Sequence, residues 1–96
     1  PHMDTSCRLA VVQNGIIENY QKLREQLKAL GHTFRSDTDT ETIPHLIAEE
    51  LKRQKAEEKS LIDAVRQAVN KLEGAFAIAV ISADFPDEII VARQQA

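Results

Sequence analysis

The chain has little of what most specialised chemistry needs. It holds one cysteine, Cys7, in 96 residues. That excludes an internal disulfide framework or a cysteine-rich zinc site and fits a reducing, cytoplasmic setting. There is no Trp, and the aromatics are Tyr20, Phe34, Phe76 and Phe85, so Leu, Ile, Val and Ala must build the core. Three Gly and three Pro exclude a fibrous or low-complexity profile. No apolar run approaches the roughly 18 residues of a membrane span. Neither charge sign dominates or forms a block, with 12 Lys+Arg against 15 Asp+Glu and a net charge of −3. That balance disfavours nucleic acid or an anionic membrane as a partner.

What remains is globular, 43% apolar and 28% charged. The length is about two-thirds of the ~150 residues allotted to a domain, so one domain or part of one is expected. Pro1-His2-Met3 reads as neither a signal peptide nor a natural initiation. Residues 1–3 are expected to be the remnant of a cleaved tag, and residues 4–96 the domain.

Arg8 to Asn14 is a β-branched apolar run that stops at the turn pair Asn14-Gly15 and predicts a strand. Ile16, Tyr20, Leu23, Leu27 and Leu30 recur at helical spacing, with Gly31 following as a stop. His32 to Arg35 allows only a small strand. Ser36 to Glu41 is rich in capping residues, and Thr38 with Glu41 fits a capping box. The next helix runs on Ile43, Leu46, Ile47 and Leu51. Pro44 sits better in it if the cap is Thr40, because proline is tolerated in a first turn. Ser60 caps a third helix on Leu61, Val65, Ala68, Val69 and Leu72, closed by Gly74. Ala75 to Ile81 is apolar without alternation and predicts a strand covered on both faces. A turn over 82–87 and a strand over 88–93 complete the order β-α-(β)-α-α-β-β. The class is α+β, with the last two strands antiparallel.

Sites are sparse. His2, His32 and His45 are isolated in sequence and form no metal-ligand set, so no metal or other cofactor is expected. Cys7 lacks a neighbouring histidine or an electropositive helix start to activate its thiol. Asn14-Gly15 is either an ordinary tight turn or an oxyanion hole. In the second case a side-chain amide and a backbone N–H free of a Cβ meet a substrate carbonyl together. The cluster from Ser36 to Glu41 is either helix capping alone or a carboxylate offered to a cationic group.

With their flanks these features become specific. Asn14-Gly15-Ile16-Ile17-Glu18-Asn19-Tyr20, then Gly31-His32-Thr33-Phe34-Arg35-Ser36-Asp37-Thr38-Asp39-Thr40-Glu41, then Leu72-Glu73-Gly74-Ala75-Phe76-Ala77 closely resemble one family. It is the glutaminase domain of the glucosamine-6-phosphate synthases, the isomerizing glutamine–fructose-6-phosphate aminotransferases. The resemblance covers about residues 8–93. It implies part of an N-terminal-nucleophile αββα sandwich, in which an N-terminal cysteine hydrolyses L-glutamine. The ammonia then passes to a sugar-isomerase domain of the same parent chain, which makes glucosamine-6-phosphate from fructose-6-phosphate. By match to the motif, Asn14 and Gly15 would form the oxyanion hole and Asp39 would bind the α-ammonium of glutamine. Gln13 stands where the family usually has His. The nucleophile lies outside the matching stretch, and Cys7 does not match it, so this chain alone is expected to be inactive and to self-associate into a homo-oligomer. Two other readings remain: a segment of another class II amidotransferase such as amidophosphoribosyltransferase, and a non-catalytic binding or assembly module of the same fold.

Overall fold

A computed structural model describes residues 1–95. Four strands form one antiparallel sheet in sequence order: β1 (His2–Met3), β2 (Leu9–Ile17), β3 (Gly74–Ser82) and β4 (Phe85–Gln94). Three helices, α1 (Tyr20–Ala29), α2 (Thr42–Arg53) and α3 (Leu61–Lys71), lie between β2 and β3 in the chain. The class is α+β, as expected. His2 and Met3, placed outside the domain on sequence grounds, pair with Val11 and Ala10 of β2.

β2 and β3 pair without interruption from Leu9↔Ser82 to Ile17↔Gly74. Both alternate. Leu9, Val11 and Ile17, with Phe76, Ile78 and Val80, enter a core shared with Leu23, Leu27, Ile43, Ile47, Leu61 and Val65 of the helices. The opposite face is bare: Ile16 is 67% exposed, Ile89 70% and Val91 74%. The expectation that Ala75–Ile81 is covered on both faces is therefore corrected for the described residues, since Ala75, Ala77 and Ile81 are exposed. The missing alternation in that run is the mark of a strand with two apolar faces, of which these helices cover one.

Several local expectations also change. Asn14-Gly15 is not a turn but lies inside β2, opposite Ala77 and Phe76. Ile16 belongs to that strand, and the helix starts at Tyr20. Residues 32–35 form no strand. Thr38 makes no side-chain cap, and a short 3-10 turn, Asp39–Glu41, leads into α2, putting Pro44 in its first turn. Ser60 does cap α3, its hydroxyl oxygen accepting from Asp63 N–H at 3.2 Å. The final hairpin is tighter than expected, with strand resuming at Phe85 after Ala83-Asp84.

Two backbone positions are steric constraints. A Cβ on Gly15 (φ +121°) would lie 2.2 Å from the Ala75 carbonyl oxygen, and one on Gly74 (φ +127°) would lie 2.2 Å from that of Ile16. The two strands approach so closely there that neither site accepts a side chain. Cys7 has φ +60° in the turn between β1 and β2, a conformation unfavourable for a residue with a Cβ. Cys7→Gly should therefore raise unfolding stability by about 1 kcal/mol. Gly74→Ala should lower it by roughly 3 kcal/mol or more. Denaturant melts of the two variants check both signs.

Candidate functional site

Hydrogen-bond direction along β2 defines the site. Neighbouring residues of a strand send their backbone groups to opposite sides. Arg8 accepts from Ala83 N–H and Glu18 donates to the Glu73 carbonyl, so even-numbered residues face β3. Leu9 accepts from Asp4 N–H, and Ile17 N–H donates to Asp39 Oδ2 at 2.8 Å, so odd-numbered residues face the other side. β1 occupies that side only opposite Ala10 and Val11. The Gly15 N–H thus points to an edge of β2 that β1 leaves open, two residues from the one that holds Asp39.

Asp39 opens the 3-10 turn, and Thr42 Oγ1 donates to its carbonyl at 2.6 Å. With Oδ2 held by Ile17, Oδ1 has no hydrogen bond among the described residues. That is a carboxylate fixed in place with one oxygen left to offer. Asn14 is exposed on the bare face of the sheet. Gln13 turns to the helix side, where its Oε1 accepts from Thr40 Oγ1 at 3.5 Å and its buried Nε2 lacks a partner. Cys7 lies beyond the other end of β2, about 17 Å or more from Asn14 at the rise of a strand. The structure therefore brings Asn14, Gly15 and Asp39 to one end of β2 and leaves Cys7 apart.

The segment that carries Asp39 is tied by Glu41. This buried carboxylate accepts from Arg35 N–H, Ser36 N–H and the Ser36 hydroxyl at 2.6–2.7 Å, and faces His45 Nε2 at 3.3 Å. The expected capping role of Glu41 is replaced by this closure of the loop over 35–41. Burial pushes the Glu41 pKa up, but the donors around it outweigh burial and hold it below its ordinary value. His45 behaves oppositely: burial lowers its pKa against the pull of Glu41.

Sequence reasoning treated the histidines as isolated, whereas His32 and His45 meet with Nδ1 atoms 3.2 Å apart. The signal was present on the α2 side: Glu41, His45 and Glu49 recur at steps of four, which stacks them on one helical face. Nothing local placed His32 beside them. Among the described residues no group of three or more His, Cys, Asp or Glu is arranged to hold a metal ion. Among the described residues no helix is long and apolar enough to cross a membrane.

A family model described as a glutamine amidotransferase domain matches residues 1–96. The chain belongs to that family. It is 70% identical, over 96 residues, to the isomerizing glutamine–fructose-6-phosphate aminotransferase of Thermosynechococcus vestitus, matching all of this chain and 15% of that protein. The enzyme of the same name from Thermotoga maritima is 53% identical over 94 residues, 98% of this chain and 14% of its own length. Among solved structures, glutamine phosphoribosylpyrophosphate amidotransferase from B. subtilis superposes with a TM-score of 0.71 at 32% identity, covering 90% of this chain and 17% of that one. The fold is that of the N-terminal-nucleophile amidotransferases. The chain spans about 15% of the length of the curated relatives it matches.

Glu41→Gln should cost on the order of 3 kcal/mol, because an amide places an NH₂ among donors. A lowered folded-state pKa makes the carboxylate's contribution complete above its ordinary value of 4.5 and lost as pH falls below it. Urea melts across acid pH should show a shallower acid loss in the variant than in the parent protein.

Proposed function

We propose that this segment supplies the oxyanion and α-ammonium sites of a glutaminase, within a longer protein that moves the amide nitrogen of L-glutamine to fructose-6-phosphate. One observation carries the reading. The open N–H of Gly15 and the anchored carboxylate of Asp39 share one edge of β2, two residues apart along the strand.

The chemistry follows from that placement. A thiolate attacks the side-chain amide carbon of glutamine, and the C=O π electrons move onto oxygen. The Gly15 N–H, with the Asn14 amide beside it, stabilises that charge. By the family resemblance, the α-amine of the nucleophilic cysteine takes the thiol proton and hands it to the amide nitrogen as the intermediate collapses, so ammonia leaves; water then cleaves the thioester to glutamate and restores the thiol. The free Oδ1 of Asp39 binds the α-ammonium, whose charge stays constant throughout. The thiol is not Cys7, which lies at the far end of β2. The family resemblance assigns it to an N-terminal cysteine and assigns the ammonia acceptor to a sugar-isomerase domain.

The high identity to named glutamine–fructose-6-phosphate aminotransferases favours that sugar acceptor. The phosphoribosylpyrophosphate enzyme shares the fold at lower identity. A metabolic enzyme acting on free glutamine, with one exposed reduced cysteine, fits the cytoplasm. The exposed apolar face of the sheet supports self-association of the 96-residue chain.

Charge develops on the oxygen but not on the ammonium, so the variants should separate. In the full-length enzyme Asn14→Ala should lower kcat for glutamine hydrolysis by roughly 10²–10³ with little change in KM. Asp39→Asn should chiefly raise the KM for glutamine, and both should leave ammonia-independent sugar isomerisation intact. Steady-state glutaminase kinetics decide it: Asp39→Asn with unchanged KM and lowered thermal stability would make Asp39 a structural residue only. Gly15 is unsuited to this test, because a side chain there collides with the Ala75 carbonyl before any substrate is present.

A further inference from the structure

A buried row of four titratable side chains lies behind the Asp39 segment. His32 Nε2 is 2.5 Å from Glu49 Oε1, His32 Nδ1 is 3.2 Å from His45 Nδ1, and His45 Nε2 is 3.3 Å from Glu41 Oε2. Both rings are buried, His45 completely. Each contact joins two acceptors unless a hydrogen lies between them, so three contacts require three hydrogens. The carboxylates do not supply them. Burial raises the pKa of each, but hydrogen bonds from Ser36 and Arg35 to Glu41, and from His32 and Lys52 to Glu49, bring the net shift of each below its ordinary value. Two neutral imidazoles carry only two ring hydrogens and leave one contact as lone pair against lone pair. One imidazolium and one imidazole carry three.

The Thr5 hydroxyl does not replace the missing hydrogen. It sits 3.5 and 3.4 Å from the two Nδ1 atoms and accepts from Thr33 N–H at 3.1 Å. Its single hydrogen reaches at most one ring, at long range. Burial disfavours charge on His45, which places the extra proton on the His32 side of the pair.

We propose that His32 is a buried imidazolium that donates to both Glu49 and His45, and that the two histidines are positioning residues for Asp39. His45 then donates from Nε2 to Glu41, which closes the loop on which Asp39 sits. The consequence for glutamine rests on the reading of Asp39 given above; the protonation state of His32 does not.

The surroundings set the sign. Facing the pair are Glu49 from α2, Glu41 from the 3-10 turn and Asp4 from the turn after β1, whose charge also acts on His45. On the cationic side, Lys52 bonds Glu49 at 3.4 Å, and Arg35 donates to the carbonyls of Asp4 and Thr5. Among the described residues no cation bonds either ring, so the charged groups that face the pair favour the extra hydrogen.

¹⁵N-histidine NMR of the labelled protein near pH 7 tests this directly. The expected result is hydrogens on both nitrogens of His32 and only on Nε2 of His45. A neutral His32 at pH 7 in folded protein overturns the proposal. In the full-length enzyme, Glu49→Gln should raise the glutamine KM roughly five- to tenfold at unchanged kcat. Glu49→Asp should restore most of it. A Glu49→Gln enzyme with the wild-type KM removes the positioning role even if His32 proves charged. Failure of Asp39→Asn to move KM would instead remove the Asp39 reading and leave the His32 result standing.

Discussion

The carboxylate of Glu41 determines where the segment between α1 and α2 runs. Residues 32–38 have no regular structure, so their backbone donors need partners other than a helix or sheet ladder. Glu41 takes two of them, from Arg35 and Ser36, together with the Ser36 hydroxyl. Charge-assisted bonds of this kind are about twice as strong as neutral ones, and a buried carboxylate without them is strongly unfavourable. The interaction therefore acts in both directions: the loop keeps Glu41 ionised, and Glu41 keeps the loop closed. Asp39 lies inside that closure and reaches the Ile17 N–H from it.

β2 meets two demands at once. Over nine residues it pairs with β3, and at Gly15 and Gly74 the two backbones come so close that a Cβ has no room. On its other edge β1 pairs with only two of its residues, which leaves backbone donors near Gly15 and Ile17 for other uses. A strand paired on both edges along its whole length would offer no such groups. A loop would offer them without rigidity. Position inside a sheet with one edge released supplies both properties, and it is why Asn14 and Gly15 belong to a strand and not to the turn that their pairing in sequence implied.

The bare face of the sheet shows how a composition can be read correctly and its packing still be misplaced. Ala75–Ile81 lacks polar alternation because both of its sides are apolar. The helices of this chain cover only one side, and Val91, Ile89 and Ile16 stand open on the other. That agrees with one sheet of a two-sheet sandwich, the architecture that the family resemblance implied.

The sequence by itself determined the helices, the Ser60 cap, the antiparallel final hairpin and the family, because each depends on spacing or on a motif contained in one stretch of chain. It also named Asn14, Gly15 and Asp39 as candidates through that resemblance. Only the tertiary structure decided which backbone groups are free. Whether the Gly15 N–H is paired depends on where β1 ends and on the pairing with β3 that turns Gly15 to the other edge, Gly15 and its partner Phe76 lying some sixty positions apart. The meeting of His32 with His45 was hidden for the same reason: the 3-10 turn running into α2 places Glu41, His45 and Glu49 in a row, but His32 enters from an irregular loop whose path is set by hydrogen bonds to a carboxylate still further along the chain.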